Sequence, residues 1–227
     1  MGQDIIIDAR HNGPPGTGNG GWTAGLIWTR LPRPRAEVAE VTLRKPPPLE
    51  IPIQVIDAAA GIQIIDPKGE IIATARHREA DIPAVPGVAA DEAREASKRY
   101  PGHGQHHFPT CFVCGPQRPD GLRIFPGLVG EGRTAAIFEV PDMVDTPTVW
   151  ASLDCPGGWT VIESDSPWVL GRIAAIVDEL PEPRDECVVV GQVISRHGRR
   201  AIVRTSLYAP LGGLLARAEA TWIKIPV

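Results

Sequence analysis

The sequence predicts an α+β protein in two similar halves, with two antiparallel sheets that each wrap around a central helix. Three observations predict this architecture. Segments repeat between the halves, strand patterns are frequent, and an apolar run follows a Gly-Gly pair in each half. The 24 Gly and 24 Pro residues indicate many turns between short elements.

Two pairs of matching segments indicate an internal duplication. Gly20-Gly21-Trp22-Thr23 recurs as Gly157-Gly158-Trp159-Thr160. The pattern Pro-x-Gly-x-aliphatic-aliphatic-Ala-x-Ala occurs over 67–75 and again over 210–218. Both pairs run in the same order with similar spacing, which favours a duplication over coincidence between two common turn types.

A Pro- and Gly-rich segment over 81–106 separates the halves. Its polar stretch from Ala89 to Tyr100 is rich in Ala, Glu, Lys and Arg, which favour a short helix. We expect this segment to be a linker between a first domain over 1–80 and a second domain over 107–227.

In the first half, Ile5–Ile7 is predicted to be a short strand, and a Gly-rich loop follows it. The apolar spacing from Trp22 to Trp28 predicts a buried helix. Further strands are predicted over 39–44, 51–56, 62–65 and 70–75, with a turn at 66–69.

The second half is predicted to repeat this order. After a strand over Thr134–Val140, the apolar run Trp159–Ile162 is expected to begin the second central helix. Strands are then predicted over 169–177, 187–195, 201–208 and 214–225, with a hairpin turn at 196–199.

Composition and charge exclude several classes of protein. The net charge is −4 and there is no dense basic tract, so we expect no nucleic-acid binding. No apolar run approaches the roughly 18 residues of a membrane span, and the N-terminal residues lack the pattern of a signal peptide. Four Cys are too few for a disulfide scaffold, so we expect a reduced, cytoplasmic protein.

Three motifs resemble the hotdog superfamily. Asn19-Gly20-Gly21 before an apolar helix is similar to the loop-to-helix signature of hotdog thioesterases. Val41–Leu49 and Cys111–Leu122 resemble a strand with its exit loop and the opening of the domain in thioesterase-like proteins of this superfamily. The resemblance implies a double hotdog whose halves pack like a hotdog dimer, with sheets joined edge to edge, and it leaves a homodimer of the tandem chain open.

The resemblance also implies an acyl-CoA or other acyl thioester as substrate. Hydrolysis of a thioester needs hydrogen-bond donors for the carbonyl oxygen and a base or nucleophile. Unpaired N–H groups at a helix N-terminus are such donors, and Gly20-Gly21 and Gly157-Gly158 stand where they are expected. The alternative is that these glycines form tight loops or allow close helix packing.

Two carboxylates are candidates for the catalytic group. Asp154 lies three residues before Gly157, and the resemblance implies an Asp or Glu near the helix as base or nucleophile. A helix cap is its alternative role. Glu163, further along, is the second candidate, and a solvated helix face is the alternative there. The first half has Thr17 at the place of Asp154, so at most one half carries that carboxylate.

Other residues are candidates for binding the substrate. Asn19 could donate to a carbonyl or orient a water, and Trp22 and Trp159 could line an acyl pocket or belong to the core. Basic side chains could bind CoA phosphates, or could be surface charges: Arg33, Arg35, Arg44, Lys45, Arg196, Arg199 and Arg200.

Cys111-x-x-Cys114 follows His103, His106 and His107, and two Cys with two His suggest zinc. Because the spacing is irregular and no second Cys-x-x-Cys exists, we expect small buried cysteines, with no metal and no cofactor. A redox dithiol lacks its usual βαβ context, and Cys155 as a nucleophile lacks an indicated His base.

The sequence therefore predicts a thioesterase-like hydrolase of acyl-CoA or another acyl thioester. A non-catalytic binder of acyl groups or acyl-CoA is the alternative, because the first half lacks the carboxylate. A hotdog enoyl-CoA hydratase is disfavoured, since the sequence has no Asp-x-Asn-Pro-x-x-His motif.

Overall fold

A computed structural model describes residues 4–32, 38–130, 132–162 and 166–226. Its strands are β1 (Val38–Leu43), β2 (Gln54–Ala58), β3 (Gly61–Ile65), β4 (Ile71–Arg78), β5 (Gly127–Gly130), β6 (Arg133–Glu139), β7 (Trp168–Val177), β8 (Glu186–His197), β9 (Arg200–Tyr208) and β10 (Leu214–Lys224). Its α-helices are α1 (Gly20–Trp28), α2 (Ala90–Lys98), α3 (Thr146–Ser152) and α4 (Cys155–Gly158). The longest of these helices has nine residues, too short to cross a bilayer.

The described strands form one antiparallel sheet in the order β2-β3-β4-β1-β7-β10-β9-β8-β6-β5. The predicted α+β class with antiparallel strands is therefore confirmed, but the two predicted sheets are one continuous sheet. Strand β1 pairs with β7, with Val41 opposite Ile173, and this pairing joins the strands of the two halves. Without it, both strands would present unpaired backbone groups at a sheet edge.

The strand order is the same on the two sides of the β1–β7 seam. Outward from the seam, the first half runs β1-β4-β3-β2 and the second half runs β7-β10-β9-β8. The turns of the β3–β4 and β9–β10 hairpins also match. Gly69 and Gly212 both have a positive φ, of 82° and 88°, and each donates its N–H to the carbonyl three residues earlier. The repeated Pro-x-Gly pattern thus marks equivalent turns.

Most of the predicted strands are confirmed, with ends within one to three residues of the expected ones. The expected strand over Ile5–Ile7 is reduced to an isolated bridge between Ile5 and Ile53. The short strand β5 was not predicted, because Gly127 and Gly130 occupy both of its ends.

Helix α1 begins where the sequence places a capping residue. The Asn19 side chain accepts a hydrogen bond from the Trp22 N–H at 2.8 Å, which satisfies one of the free donors of the first turn. The helix is buried on nearly all sides, which explains why its apolar residues do not keep to one stripe.

The expected start of the second central helix at Trp159 is wrong. The helical segment lies earlier, in α3 and α4, and residues 159–161 form a turn after it. Asp145 caps α3 by accepting the Thr148 N–H at 2.9 Å, and Pro147 lies in the first turn, where a missing N–H has no cost.

Helices α1 and α3 pack backbone to backbone. A Cβ atom on Gly21 would lie 2.5 Å from Asp154 Cβ, and one on Gly25 would lie 2.6 Å from Pro147 Cα. The two glycines, four residues apart on one face of α1, permit this contact between the halves.

Helix α2 belongs to the segment expected to be a linker, and it covers the other face of the sheet. Its Ala93 and Ala96 are fully buried with Val188 and Val190 of β8, while Val189 faces the main core. Part of the segment over 81–106 is therefore packed against the second half.

Gly25→Ala tests the close contact of α1 with α3. We expect it to lower the free energy of unfolding by about 1–3 kcal/mol through overpacking, although Ala favours a helix over Gly by about 1 kcal/mol. Gly213→Ala is the matched control, because no atom lies within 4 Å of its added Cβ, and it should change stability by less than about 0.5 kcal/mol. Urea unfolding measures both, and equal effects would contradict the packing argument.

Candidate functional site

A cavity of about 420 Å³ lies beside the N-terminus of α1 and is lined by residues from both halves. Its wall is largely apolar. The main apolar contributors are Leu43, Trp159, Trp168, Leu170, Trp222 and Ile223. This size and lining are typical of a small-molecule site.

Asp154 is the acidic group among the described residues of the cavity wall. It lies between α3 and α4 and is only 2% exposed. Its Oδ2 accepts hydrogen bonds from the Gly21 N–H at 2.9 Å and from Asn19 Nδ2 at 3.2 Å. Its Oδ1 is buried and has no hydrogen-bond partner within the described part of the chain.

Burial raises the pKa of Asp154 to about 7. The hydrogen bonds from Gly21 and Asn19 favour the charged form, but the loss of solvation has the larger effect. A carboxyl group with a pKa near 7 is suited to proton transfer at neutral pH.

Asn19 and the Gly20-Gly21 pair lie at the site, as expected from the sequence, but they have separate roles. Asn19 caps α1 and contacts Asp154, so it positions the carboxylate. The Gly21 N–H is engaged by Asp154. Gly20 lines the cavity, and its N–H donates to no acceptor among the residues that the structure describes. Of these three residues, Gly20 is therefore the one with a backbone N–H available to a ligand.

Gly157 and Gly158 do not lie at a helix start. They are the last two residues of α4, and neither belongs to the cavity wall. A Cβ on Gly157 would lie 2.6 Å from Thr205 Oγ1, and one on Gly158 would lie 2.4 Å from the Trp222 ring. These glycines allow α4 to pack on the sheet, which is the alternative that the sequence left open.

The two Trp residues of the repeated motif have different surroundings. Trp159 lines the cavity, whereas Trp22 stacks on His11 with ring centroids 3.7 Å apart and is not part of the wall. Sequence reasoning missed Trp168 and Trp222, which lie near strand ends and line the same cavity. Their indole N–H groups are buried without a hydrogen-bond partner in the described ranges. Only the paired strands β7 and β10 bring these two residues together.

The remaining predicted charged residues differ in their position relative to the cavity. Glu163 lies outside the described residues, as do Arg33 and Arg35. Arg44 and Lys45 are exposed and line the cavity. Arg196 lies over the Trp168 ring, 5.2 Å from its centroid, and Arg199 and Arg200 do not contribute to the wall.

The Cys-x-x-Cys motif also reaches the cavity. The sulfurs of Cys111, Cys114 and Cys155 lie within 4.8 Å of one another. His106 Nε2 lies 3.4 Å from Cys114 Sγ, whereas the His103 ring packs against Tyr100. Sequence reasoning did not connect Cys155 with the motif, because it lies 41 positions after Cys114 and no local pattern links them.

No protein-family model matches this sequence, and none of the curated proteins matches it. The fold is similar to solved structures. A conserved protein of unknown function with a hot dog fold from Alicyclobacillus acidocaldarius superimposes with a TM-score of 0.61 at 16% identity, over 99% of this chain and 93% of that one.

Two further structures have provisional thioesterase names. A thioesterase II from Thermobifida fusca YX gives a TM-score of 0.62 at 12% identity, over 98% of this chain and 92% of its own. A thioesterase from Novosphingobium aromaticivorans DSM 12444 gives 0.61 at 15% identity, over 100% and 94%. The chain therefore has a hotdog fold, with α and β elements and one large antiparallel sheet.

His11, which stacks on Trp22 of α1, makes stability depend on pH. Burial lowers the pKa of His11 to about 4, below the ordinary value near 6.5. The unfolded chain therefore binds a proton at a higher pH than the folded chain does. The stabilising contribution is complete above about pH 6.5 and is lost as the pH falls towards 4. The charged groups that act on His11 are Arg10, Asp8, Asp145 and Arg118.

His11→Gln removes this titration. The unfolding free energy of the wild type, minus that of the variant, should decrease between pH 7.5 and pH 5, measured by urea unfolding at several pH values. A difference that stays constant over this range would show that His11 does not titrate between the folded and unfolded states.

Proposed function

We propose that the chain is a tandem of two hotdog units that hydrolyses acyl thioesters in the cavity beside α1. The observation that carries this proposal is Asp154, a buried carboxyl whose free Oδ1 lies next to the N-terminus of a helix in an apolar cavity. The repeated strand order around the β1–β7 seam supports the tandem arrangement. The provisional names of two structures with this fold support the reaction class.

In the proposed reaction, Asp154 acts as general base for a water molecule. The water oxygen attacks the thioester carbonyl carbon while Asp154 accepts its proton. The Gly20 N–H and the positive end of α1 stabilise the negative charge that develops on the carbonyl oxygen. The C–S bond then breaks, and the leaving thiolate takes the proton held by Asp154, which gives the free thiol and the carboxylic acid and regenerates the Asp154 carboxylate.

The apolar wall fits the acyl part of such a substrate. Burial of an acyl chain against Leu43, Leu170 and Ile223 would be favourable in proportion to the apolar area removed from water. The buried indole N–H groups of Trp168 and Trp222 are available to acceptor atoms of the ligand, since they have no partner among the described residues.

Asp154→Asn tests the catalytic assignment. The variant keeps the size of the side chain and its contact with Gly21, but it cannot accept the proton. We expect kcat for acyl-CoA hydrolysis to fall at least about a hundredfold, the usual scale for loss of a general base. Free thiol release from a panel of acyl-CoA substrates measures it.

Asp145→Asn is the matched control, because the Asp145 side chain also accepts a backbone N–H from the first turn of a helix but is not part of the cavity wall. Its turnover should remain close to that of the wild type. Unchanged turnover of Asp154→Asn would reject Asp154 as the base. Tight acyl-CoA binding without thiol release at any chain length would support the alternative, a non-catalytic acyl-CoA-binding protein.

Arg44 and Lys45 at the cavity wall are proposed to attract the phosphates of CoA. The double variant Arg44→Glu and Lys45→Glu should raise KM for acyl-CoA roughly three- to tenfold, less at high salt. It should leave KM unchanged for an acyl-pantetheine, which lacks the nucleotide. The control variant reverses the charges of Arg199 and Arg200 in the same way, because these residues lie outside the cavity wall. Equal effects on both substrates would contradict a phosphate contact.

A further inference from the structure

Three thiols from two separate parts of the chain meet at the cavity. Cys111 and Cys114 come from the loop before β5, and Cys155 is the first residue of α4. All three are at most 4% exposed and line the cavity, with their sulfurs within 4.8 Å of one another. Sulfurs around one tetrahedral Zn²⁺ lie about 3.8 Å apart, for Zn–S bonds of about 2.3 Å. Small side-chain adjustments would bring these thiols to that spacing.

The Cys111–Cys114 turn is rigidly held. The Gly115 N–H donates to the Cys111 carbonyl at 2.9 Å, and Tyr100 Oη donates to the Cys114 carbonyl at 3.1 Å. A Cβ on Gly115 would lie 2.5 Å from the Cys111 nitrogen, so this position admits only Gly. The two thiols are thus presented by a preformed turn, which lowers the entropic cost of binding an ion.

A side-chain N–H donor lies beside the sulfur of Cys111, as it would beside a thiolate. Asn19 Nδ2 donates to Cys111 Sγ over 3.9 Å. Such donors compensate negative sulfur in metal sites.

His106 is a second side-chain donor to these sulfurs and is not a candidate metal ligand. Its Nδ1 accepts the Phe108 N–H at 2.9 Å, so the neutral ring carries its proton on Nε2. That Nε2–H points its proton at Cys114 Sγ, 3.4 Å away. His106 is therefore a donor to sulfur, and the set of candidate ligands consists of the three thiols.

We propose that Cys111, Cys114 and Cys155 bind one Zn²⁺ as thiolates, with the fourth position open to a water or ligand in the cavity. Binding releases the three thiol protons to solvent, and no electron transfer is involved. Soft thiolate donors select such an ion over Mg²⁺ or Ca²⁺, which prefer oxygen. All three cysteines are free thiols, so each sulfur is available to the ion.

Metal content and cobalt spectra test this site without using turnover, so the result is separate from the outcome for hydrolysis. Untagged full-length protein, purified under reducing conditions without chelators, should contain about one zinc per chain. After zinc is removed with a chelator, Co²⁺ should produce thiolate-to-cobalt charge-transfer absorption and the visible bands of tetrahedral cobalt. This second measurement uses the wild-type chain, so it does not depend on the folding of a variant.

Cys155→Ser should reduce the zinc content at least about tenfold and abolish the cobalt spectrum. Cys187→Ser is the matched control, because Cys187 is also buried but lies in β8, outside the cluster, and it should retain both. A folded wild-type protein that binds neither zinc nor Co²⁺ would overturn the proposal. Zinc retained in full by Cys155→Ser would overturn it as well.

Discussion

The contact between the Asp154 carboxylate and the first turn of α1 is the constraint on which the rest of the structure depends. It places a negative group at the positive end of a helix, where the Gly21 N–H donates a hydrogen bond to it. The same contact requires a glycine at position 21, because a Cβ there would overlap Asp154. The contact that packs the two halves together therefore also positions the carboxylate, and the cavity lies beside this contact.

The β1–β7 seam supports that contact from the sheet. Glu40, 3% exposed on β1, accepts hydrogen bonds from Arg76 and Arg78, and Arg78 also pairs with Glu219 of the second half. A buried carboxylate needs such partners, because an unpaired charge there would be costly. A slip of one residue at this seam would turn Val41 away from the core and move α1 away from Asp154.

Strands were predicted from the sequence more successfully than the second helix was. Alternating apolar residues and Gly turns identify β7 to β10 almost to the residue, because strand periodicity is a local property. The Gly157-Gly158 pair led to a wrong prediction of a helix start. The Gly-Gly-Trp-Thr motif begins α1 in the first half, whereas its two glycines end α4 in the second half. Trp168, Trp222 and Cys155 reach the site through the pairing of distant strands and helices, which no local pattern contains.

The break between α3 and α4 explains how adjacent residues serve two neighbouring sites. Pro156 has no N–H and its ring would collide with the Ser152 carbonyl, so α3 cannot continue through it. The chain forms a tighter turn instead, in which the Asp154 N–H donates to the carbonyl of Ala151, three residues earlier, at 3.2 Å. In this break Asp154 contacts α1, while Cys155 joins the Cys111–Cys114 turn. A regular helix would hold both side chains at a fixed angle of about 100°, so the proline allows the carboxylate and the thiol to be positioned separately.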